Sequence, residues 1–520
     1  MSKKALVINL VAHRCFIRHL EEEKLPQNEL LFSAISNTYL PLLNMFANLE
    51  AEGIPFKVNM VVTPTLATML ADPVIQQQYI EWENKLISLG QAELGRYQKD
   101  SVQYKLAERY LNNEIKNLKD FQETFNQDIL SKISYYADKG CIELMATAAT
   151  CAFFPHYMDI PEALQAQIET GLQVHKKYFG LAPEGFWIPY MSYAPGIEHL
   201  IRPYGFSYSI LDTHGILFAT PKPEAGIFAP VRCRNSLAFF GRTNEDLNLF
   251  RGKKIYRNQD RDLGFEAERD YLENALGKTV SRFSTCYRYW SGNTSDDAWY
   301  DIDAAMEQAE ADADAFIAEK KEKLCAAEKA CGDRTLSMVS CFDINIFGTL
   351  WYEGIYFLEK VFRKLAEQDD ITLSTCSELV DKQTNLQRVA PFPCATNGAG
   401  YGEDLIDISN AWMLRYVRKA ADRMVDLTSR FTDDTGLKAR TLNLAAKEVL
   451  LAMSGDWPRM LHDGEMPDYA EERFKESISA FTTVYDSLGS NSISTEWLTR
   501  IEKEHTLFPE MNYHVFSTKK

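Results

Sequence analysis

Three acidic residues stand at or near the ends of short apolar runs, where carboxylates could do acid–base or nucleophilic chemistry. They are Glu143, Asp212 and Asp343. Cleavage of a glycosidic bond uses two carboxyl groups flanking the bond, one as nucleophile and one as acid/base, about 5–5.5 Å apart in retaining enzymes. The same positions also suit helix caps and structural hydrogen-bonding groups. Spacing alone therefore leaves both interpretations open.

The stretch over residues 185–219 predicts two consecutive strand–helix units. Phe186-Trp187-Ile is a short apolar run ended by proline, which cannot donate to a sheet, so it is typical of a buried strand entering a loop. A crossover helix over 197–204 and a strand over 207–211 follow, and this strand ends on Asp212-Thr-His214. Barrels and open α/β sheets build their sites at the carboxyl ends of such strands. Core packing of Trp187 and a simple turn at Asp212 are the alternatives.

The sequence shows no recognisable pattern for metal binding, nucleotide binding or a serine or cysteine nucleophile. His13 and His19 are closely spaced, but no Cys, His or Asp companion stands at metal-ligand intervals, so we expect no metal. A glycine-rich phosphate loop is missing, and serine or cysteine nucleophiles lack an elbow motif. The sequence therefore predicts neither a metal nor any other cofactor.

Composition indicates a globular protein of two or three domains. The chain has 520 residues, 46% hydrophobic and 25% charged, and a net charge of −17. This charge argues against nucleic acid as a partner, because nucleic-acid binding draws on clustered Lys and Arg. We see no run of the roughly 20 apolar residues that a membrane span needs, so we expect no membrane partner. Ten scattered cysteines without a Cys-x-x-Cys pair favour reduced thiols and a cytoplasmic location.

The order of the apolar and helical patterns predicts an α/β fold. Short apolar runs alternating with helices predict an incomplete (β/α)7-type parallel barrel. A charged, Ala-rich region predicts a helical insertion at about 243–335, and a Pro- and Gly-rich linker is expected over 391–402. We therefore expect a barrel over 1–395 and a C-terminal all-helical domain over 396–520. The runs assigned to strands lie at 5–11, 55–62, 140–147, 186–188, 207–211, 237–240, 336–342 and 371–374.

The central stretch resembles glycoside hydrolase family 57, particularly its α-glucan branching-enzyme branch. That family has a Trp-Leu-Pro-Glu segment followed by Asp-Thr-His-Gly, and here Trp187-Ile-Pro-Tyr190 precedes Asp212-Thr-His-Gly215. Similar segments run along nearly the whole chain. They include the opening around His13, Gly140-Cys-Ile-Glu143, Ala149-Thr-Cys151 (Ala-Thr-His in the family), Phe240-Gly-Arg242, Phe342-Asp343, Trp351, Asn410-Ala-Trp412 and Ser454-Gly-Asp456-Trp457-Pro.

The resemblance implies a set of site residues. Asp343 matches the family's acid/base, whereas Tyr190 stands where the family places its glutamate nucleophile. Tyrosine serves as a nucleophile in sialidases, but a phenol with its ordinary pKa of about 10 is mostly protonated at neutral pH. The residues that the resemblance implies for substrate binding are His13, Glu143, Trp187, Asp212, His214, Arg242, Trp351, Trp412, Asp456 and Trp457.

These matches predict a protein of glycogen- or starch-type α-glucan metabolism that binds glucan in the barrel cleft and is catalytically impaired. An active 1,4-α-glucan branching enzyme or α-amylase with a retaining mechanism is one alternative. A non-catalytic structural or regulatory partner is another. The four matched tryptophans are expected to line the cleft, with core packing of at least half of them as the competing interpretation. The oligomeric state is not predicted.

Overall fold

A computed structural model gives the structure of residues 4–20, 25–180, 182–243, 253–277, 283–292, 298–332, 334–383, 385–433, 435–490 and 492–518. Each apolar run assigned to a strand overlaps one. The strands of the described residues are β1 (Lys4–Ala12), β2 (Val58–Val62), β3 (Ile142–Thr147), β4 (Phe186–Trp187), β5 (Tyr208–Leu211), β6 (Val231–Arg232), β7 (Ala238–Gly241), β8 (Leu336–Asp343) and β9 (Thr372–Leu373).

The strands form an incomplete parallel barrel. One sheet has the order β4-β3-β2-β1-β8 and the other the order β5-β7-β6. Single parallel bridges between Gly185 and Tyr208 and between Arg242 and Val339 connect the two sheets on both sides. Strands β1 to β5, β7 and β8 thus almost close on themselves, whereas β6 is antiparallel to β7 and β9 pairs with the start of β1. The predicted (β/α)7-type barrel is confirmed.

Strand β1 shows why the sequence contains continuous apolar runs. Leu6, Ile8 and Leu10 belong to the large core between the sheet and the surrounding helices. Ala5 and Val7 belong to the smaller core inside the barrel. A parallel strand with helices on one face and barrel side chains on the other is buried on both faces, so it needs no polar alternation.

Helices surround the barrel and make up the chain after it. Helix α12 (Ile302–Cys331) confirms the helix predicted in the insertion. Residues 244–252, 278–282, 293–297 and 333 of the insertion lie outside the described residues. The helices are α1 (Leu25–Ala34), α2 (Leu40–Ala51), α3 (Pro64–Leu70), α4 (Pro73–Arg96), α5 (Val102–Lys119), α6 (Ile129–Asp138), α7 (Pro161–Phe179), α8 (Ile197–Ile201), α9 (Thr213–Leu217), α10 (Leu263–Glu266), α11 (Arg269–Leu276), α12 (Ile302–Cys331), α13 (Gly354–Ala366), α14 (Cys376–Lys382), α15 (Ala411–Arg430), α16 (Gly436–Ala452), α17 (Asp456–Asp463), α18 (Pro467–Ser490) and α19 (Thr495–Glu504).

Helices α15 to α19 form the predicted C-terminal helical domain. Its central helix, α16, is buried over most of its length. The end of α16 and the start of α17 contact the barrel directly. The Thr150 hydroxyl donates to the Leu450 carbonyl at 2.8 Å, and the Gly455 N–H donates to the Cys151 carbonyl at 2.8 Å. The helical domain therefore packs on the carboxyl edge of the barrel beside β3.

One helical stretch, Gln27–Ala51, is long and apolar enough to cross a membrane by length and composition. The expectation that no such run exists is wrong in this respect. However, 67% of its most apolar window is buried inside the fold. Phe46 and Leu49, for example, are fully enclosed by the main core. Such burial is typical of a core helix in a globular protein.

Gly171 of α7 sets how closely this helix packs on the segment that follows β3. A Cβ there would lie 2.0 Å from the Thr147 carbonyl oxygen and 3.0 Å from the Ala148 carbonyl carbon. Gly171→Ala is therefore expected to lower the apparent Tm, with an overpacking cost of about 1–3 kcal/mol. Gly95→Ala in α4 is the matched control, since nothing lies within 4 Å of its Cβ and alanine favours the helix. Equal thermal unfolding of both variants and the parent would contradict the close packing.

Candidate active site

The carboxyl edge of the barrel carries a chain of hydrogen bonds between residues far apart in sequence. His13 follows β1, and its Nδ1 lies 3.1 Å from Thr63 Oγ1, which follows β2. His13 Nε2 lies 2.8 Å from Asp456 Oδ1, and the Ser454 hydroxyl donates to Asp456 Oδ2 at 2.7 Å. Burial raises the pKa of the Asp456 carboxyl, but His13 and Ser454 outweigh it, so this pKa is lower than usual. Asp456 is therefore an ionised, hydrogen-bonded carboxylate at neutral pH.

Tyr190 follows β4 in a strained backbone conformation. Its φ of 59° and ψ of 12° put a non-glycine residue in the left-handed region. Such strain costs about 1–3 kcal/mol and is found at functional sites where the surroundings enforce it. Here Thr396 enforces it, because its N–H and its hydroxyl donate to the Tyr190 carbonyl at 2.8 and 3.0 Å. The ring packs against Gly455, and only 8% of the residue is exposed.

The Tyr190 hydroxyl is buried near Cys151 and Asp456. It bonds to no oxygen or nitrogen among the described residues, and its near neighbour is the weakly polar Cys151 thiol. Burial raises the pKa of the phenol well above its ordinary value, and the nearby Cys151 and Asp456 add to the rise, against the opposing effect of Arg459. The phenol is therefore protonated across the physiological pH range and cannot react as an anion.

Cys151 is a site residue that the sequence analysis did not include in its candidate set. It follows β3, and its Sγ and the ligand atoms of His13 and Asp456 all lie within 4.8 Å of one another. Burial raises the pKa of the Cys151 thiol, and the Asp456 carboxylate raises it further. The signal in the sequence was the Ala149-Thr-Cys151 segment, which matches Ala-Thr-His in the family that the chain resembles.

Asp343 ends β8, in register with Val11 of the neighbouring strand β1. It is exposed, unlike the rest of its strand. The backbone N–H and the side-chain amide of Asn345 donate to Asp343 Oδ1 at 2.9 and 2.7 Å, and the same amide lies 3.3 Å from the His13 carbonyl oxygen. The predicted position of Asp343 at a strand end is confirmed, and Asn345 orients its carboxylate on the edge that carries His13.

Asp212, His214 and Arg242 form a second cluster on this edge, after β5 and β7. Arg242 Nη2 lies 2.7 Å from Asp212 Oδ2, and His214 Nδ1 lies 3.1 Å from Asp212 Oδ1. His214 Nε2 lies 2.8 Å from the Gly400 carbonyl oxygen. Polar groups thus face both ring nitrogens and fix the orientation of the ring. The buried Asp212 carboxylate thereby fixes two partly exposed side chains, of which the Arg242 guanidinium has further N–H groups to offer a ligand.

Residues 390–402, which lie in the segment predicted as a linker over 391–402, pack against the barrel edge and form a wall of the site. Cys394 pairs with Tyr193, and Thr396 bonds to Tyr190 as described above. Gly400 has a φ of +107°, and a Cβ there would lie 2.9 Å from His214 Cε1. The Pro and Gly residues therefore serve tight turns that press this segment against the two clusters.

Glu143 lies away from the other carboxylates. It is the second residue of β3, which continues to Thr147, so it stands near the amino end of its strand. Its Oε1 accepts from the Tyr208 hydroxyl at 2.5 Å, and its Oε2 accepts from the Ser377 N–H at 3.0 Å. The prediction that Glu143 falls at a strand end is wrong, because the strand continues after it to Thr147.

The four matched tryptophans pack largely in cores. Trp351 and Trp457 are fully buried, and the Trp457 indole N–H donates to the Leu451 carbonyl at 2.8 Å. Trp187 belongs to the core inside the barrel. Trp412 is half-buried, with its ring edge-on to Phe474 at 5.4 Å. The expectation that these rings line the cleft is wrong for Trp351 and Trp457.

Comparison with models of known protein families identifies the family to which the barrel and its helical domain belong. The model of glycosyl hydrolase family 57 matches residues 12–391. The model of the C-terminal region of 1,4-alpha-glucan branching enzymes matches residues 416–516. Since the first match alone covers most of the chain, the chain belongs to glycosyl hydrolase family 57.

The proteins that this chain resembles are named for two different enzyme activities. A 1,4-alpha-glucan branching enzyme from Thermococcus kodakarensis is 25% identical over 472 residues, covering 86% of this chain and 68% of that protein. The alpha-amylase AmyC from Thermotoga maritima has a similar structure, with a TM-score of 0.92 and 29% identity over 99% of each chain. A family 57 branching enzyme from Pyrococcus horikoshii shares the fold, with a TM-score of 0.88 and 22% identity over 100% of this chain and 97% of that one. These relatives do not decide between the two activities for this chain.

The Asp456–His13 pair is expected to stabilise the protein in a pH-dependent way. A carboxyl whose pKa is lowered by folding contributes stability above its unfolded pKa of about 4, and this contribution is lost as the pH falls through the folded value. Asp456→Asn is therefore expected to be less stable than the parent at neutral pH, by about 1–3 kcal/mol. The difference is expected to shrink below about pH 4. The exposed Asp486→Asn is the control. The free energies of unfolding of the parent and Asp456→Asn are compared by denaturant titration. A difference between them that does not change with pH would contradict the pairing of Asp456 with His13.

Proposed function

We propose that this family 57 protein binds an α-glucan at the carboxyl edge of its barrel and is impaired as a glycosidase or transglycosidase. The observation that carries the proposal is the buried, protonated phenol of Tyr190, at the position matched to the family's glutamate nucleophile. Membership of the family, and the branching enzyme and α-amylase among the relatives, support a glycogen- or starch-type glucan as the ligand.

The chemical argument concerns the missing second carboxylate. A retaining mechanism needs a nucleophile and an acid/base on opposite sides of the scissile bond. Asp343 offers an exposed carboxylate that could protonate a leaving oxygen. A phenol with a pKa above 10 is ionised in fewer than about one molecule in a thousand at pH 7. Loss of one member of a cooperating catalytic set usually removes most of the rate acceleration.

An active enzyme with a different nucleophile is the second candidate, and Asp456 is the observation that favours it. This carboxylate is ionised and close to the matched position. However, His13 and Ser454 bind one oxygen each. Both hydrogen bonds hold the carboxylate in its present orientation and reduce its nucleophilicity. We therefore assign Asp456 to positioning and substrate binding.

Glucan binding is assigned to the cluster of Asp212, His214 and Arg242 together with Tyr401. The Tyr401 ring lies edge-on to His214 at 5.3 Å and is 52% exposed. Sugars place their apolar CH faces on aromatic rings, and fixed polar groups bind their hydroxyls. An exposed ring beside an oriented guanidinium suits a neutral polysaccharide.

Two further assignments belong to this proposal. We place the boundary between the barrel and the helical domain at residues 395 and 396, which is supported by the family matches on either side. We also propose a cytoplasmic location, supported by ten cysteines that are all free thiols.

Restoring the carboxylate tests the catalytic part of the proposal. The parent is expected to leave the iodine complex of amylose essentially unchanged. Tyr190→Glu is expected to lower the iodine absorbance at a rate at least about ten times the background rate measured with the parent. Tyr190→Gln has the same shape without a carboxylate, and Tyr190→Glu combined with Asp343→Asn lacks the acid/base, so both are expected to be inactive. A parent that converts amylose readily would contradict the impairment. Loss of that activity in Asp456→Asn would establish the second candidate.

The glucan-binding part is tested by two tyrosines of equal exposure. Tyr401 and Tyr416 are each 52% exposed, but Tyr416 lies on the helical domain next to Trp412. Tyr401→Ala is expected to weaken retardation in glycogen affinity electrophoresis about five- to tenfold, as expected for loss of one aromatic contact. Tyr416→Ala is expected to migrate like the parent. A parent that is not retarded at all would contradict glucan binding and favour a non-catalytic partner role.

A further inference from the structure

Three potential metal ligands of different chemical type meet at the carboxyl edge of the barrel. They are His13 after β1, Cys151 after β3 and Asp456 at the start of α17. One ligand atom from each residue lies within 4.8 Å of the other two. The sequence predicted no metal because these residues are far apart along the chain, and only the packing of the helical domain on the barrel brings them together.

The spacing is close to that of a zinc coordination sphere. Zinc binds histidine nitrogen and carboxylate oxygen at about 2.0–2.2 Å and thiolate sulfur at about 2.3 Å, so neighbouring ligand atoms lie about 3.3–3.7 Å apart in a tetrahedron. His13 Nε2 and Asp456 Oδ1 are now 2.8 Å apart and share a hydrogen bond. Small side-chain rotations would exchange this hydrogen bond for two bonds to one ion.

Outer hydrogen bonds already orient two of the three ligands. Thr63 Oγ1 lies 3.1 Å from His13 Nδ1, which leaves Nε2 as the coordinating nitrogen. The Ser454 hydroxyl binds Asp456 Oδ2 at 2.7 Å, which leaves Oδ1 facing His13. Metal-bound histidines and carboxylates are commonly held in this way by partners behind them.

A separate observation points to a missing partner at the same place. The Tyr190 hydroxyl is buried beside the Cys151 thiol, a weak partner, and it bonds to no oxygen or nitrogen among the residues that the structure describes. Buried polar groups are rarely left unsatisfied without an unseen ion, water or ligand. A ligand bound to an ion held by Cys151 would give this hydroxyl an acceptor.

We propose that His13, Cys151 and Asp456 form a binding site for a zinc-type divalent cation, with one coordination position open to the cleft. The ligand set mixes sulfur, nitrogen and oxygen, which favours zinc or cobalt over magnesium or calcium. Three protein ligands with an open fourth position are typical of zinc sites that remain accessible to a small molecule. The His13 and Asp456 side chains are 21% and 12% exposed, so the ion has access from the cleft.

Cobalt(II) is the probe for this site, because a thiolate ligand gives it a near-ultraviolet charge-transfer band and a tetrahedral site gives it intense visible bands. Titration of the purified full-length protein is expected to show both sets of bands with one equivalent bound. Zinc(II) is expected to displace cobalt and remove them. This readout requires neither glucan nor activity, so it is independent of the proposed function.

Matched cysteine variants locate the ligand. Cys141 precedes β3 and Cys151 follows it, and both are partly exposed thiols. Cys151→Ser is expected to lose the thiolate band, whereas Cys141→Ser keeps it. Cys151→His is expected to keep the visible bands without the thiolate band. Ser454→Ala, which removes only an outer hydrogen bond, is expected to weaken zinc binding about 10- to 100-fold.

Two results would overturn the proposal. One is a parent that binds no stoichiometric cobalt. The other is a thiolate band that persists in Cys151→Ser, which would assign the metal to another cysteine. If Cys151→Ser fails to fold, Cys151→His and Ser454→Ala give the same decision, because unchanged spectra and affinity in both would also contradict the site.

Discussion

The structure depends on the contact between the start of α17 and the carboxyl edge of the barrel. The Gly455 N–H donates to the Cys151 carbonyl at 2.8 Å, and Asp456 is bonded to His13. A Cβ at position 455 would lie 2.7 Å from the Tyr190 ring and 2.9 Å from the Cys151 carbonyl oxygen. Glycine is therefore required for the helical domain to approach this closely. Without that approach, neither the buried phenol nor the histidine–carboxylate pair would exist.

This contact decides the chemistry available at the edge. It places an ionised carboxylate, a histidine and a thiol around a phenol that bonds to no oxygen or nitrogen among the described residues. The low-polarity surroundings keep both the phenol and the thiol protonated, because burial disfavours their anions. A neutral ligand that enters this pocket therefore meets one anion, Asp456, and several groups able to donate, whereas a bound cation would displace the thiol proton of Cys151 to solvent. Such a pocket is better suited to binding than to nucleophilic attack.

Much of the fold was predictable because barrel strands buried on both faces leave continuous apolar runs, and each of the seven barrel strands overlaps one of the predicted runs. The placement of Asp343 and Asp212 followed from strands that end where the apolar run ends. Glu143 was misplaced because its run continues past it to Thr147. Motif matches identified Trp351 and Trp457 but carry no information on burial, which depends on packing from distant elements. The role of Cys151 emerged only when the helical domain was seen to bring Asp456 to His13.

The central claim is that neither Tyr190, at the position of the family's nucleophile, nor the nearby Asp456 forms a covalent glycosyl intermediate. Incubation with an activated fluorosugar that traps such intermediates in retaining enzymes, followed by mass spectrometry of the intact protein, measures this directly. The account predicts an unmodified mass for the parent, because Tyr190 is a buried, protonated phenol and Asp456 is held by two hydrogen bonds. A mass increase of one glycosyl group, mapped to Tyr190 or Asp456, would contradict it.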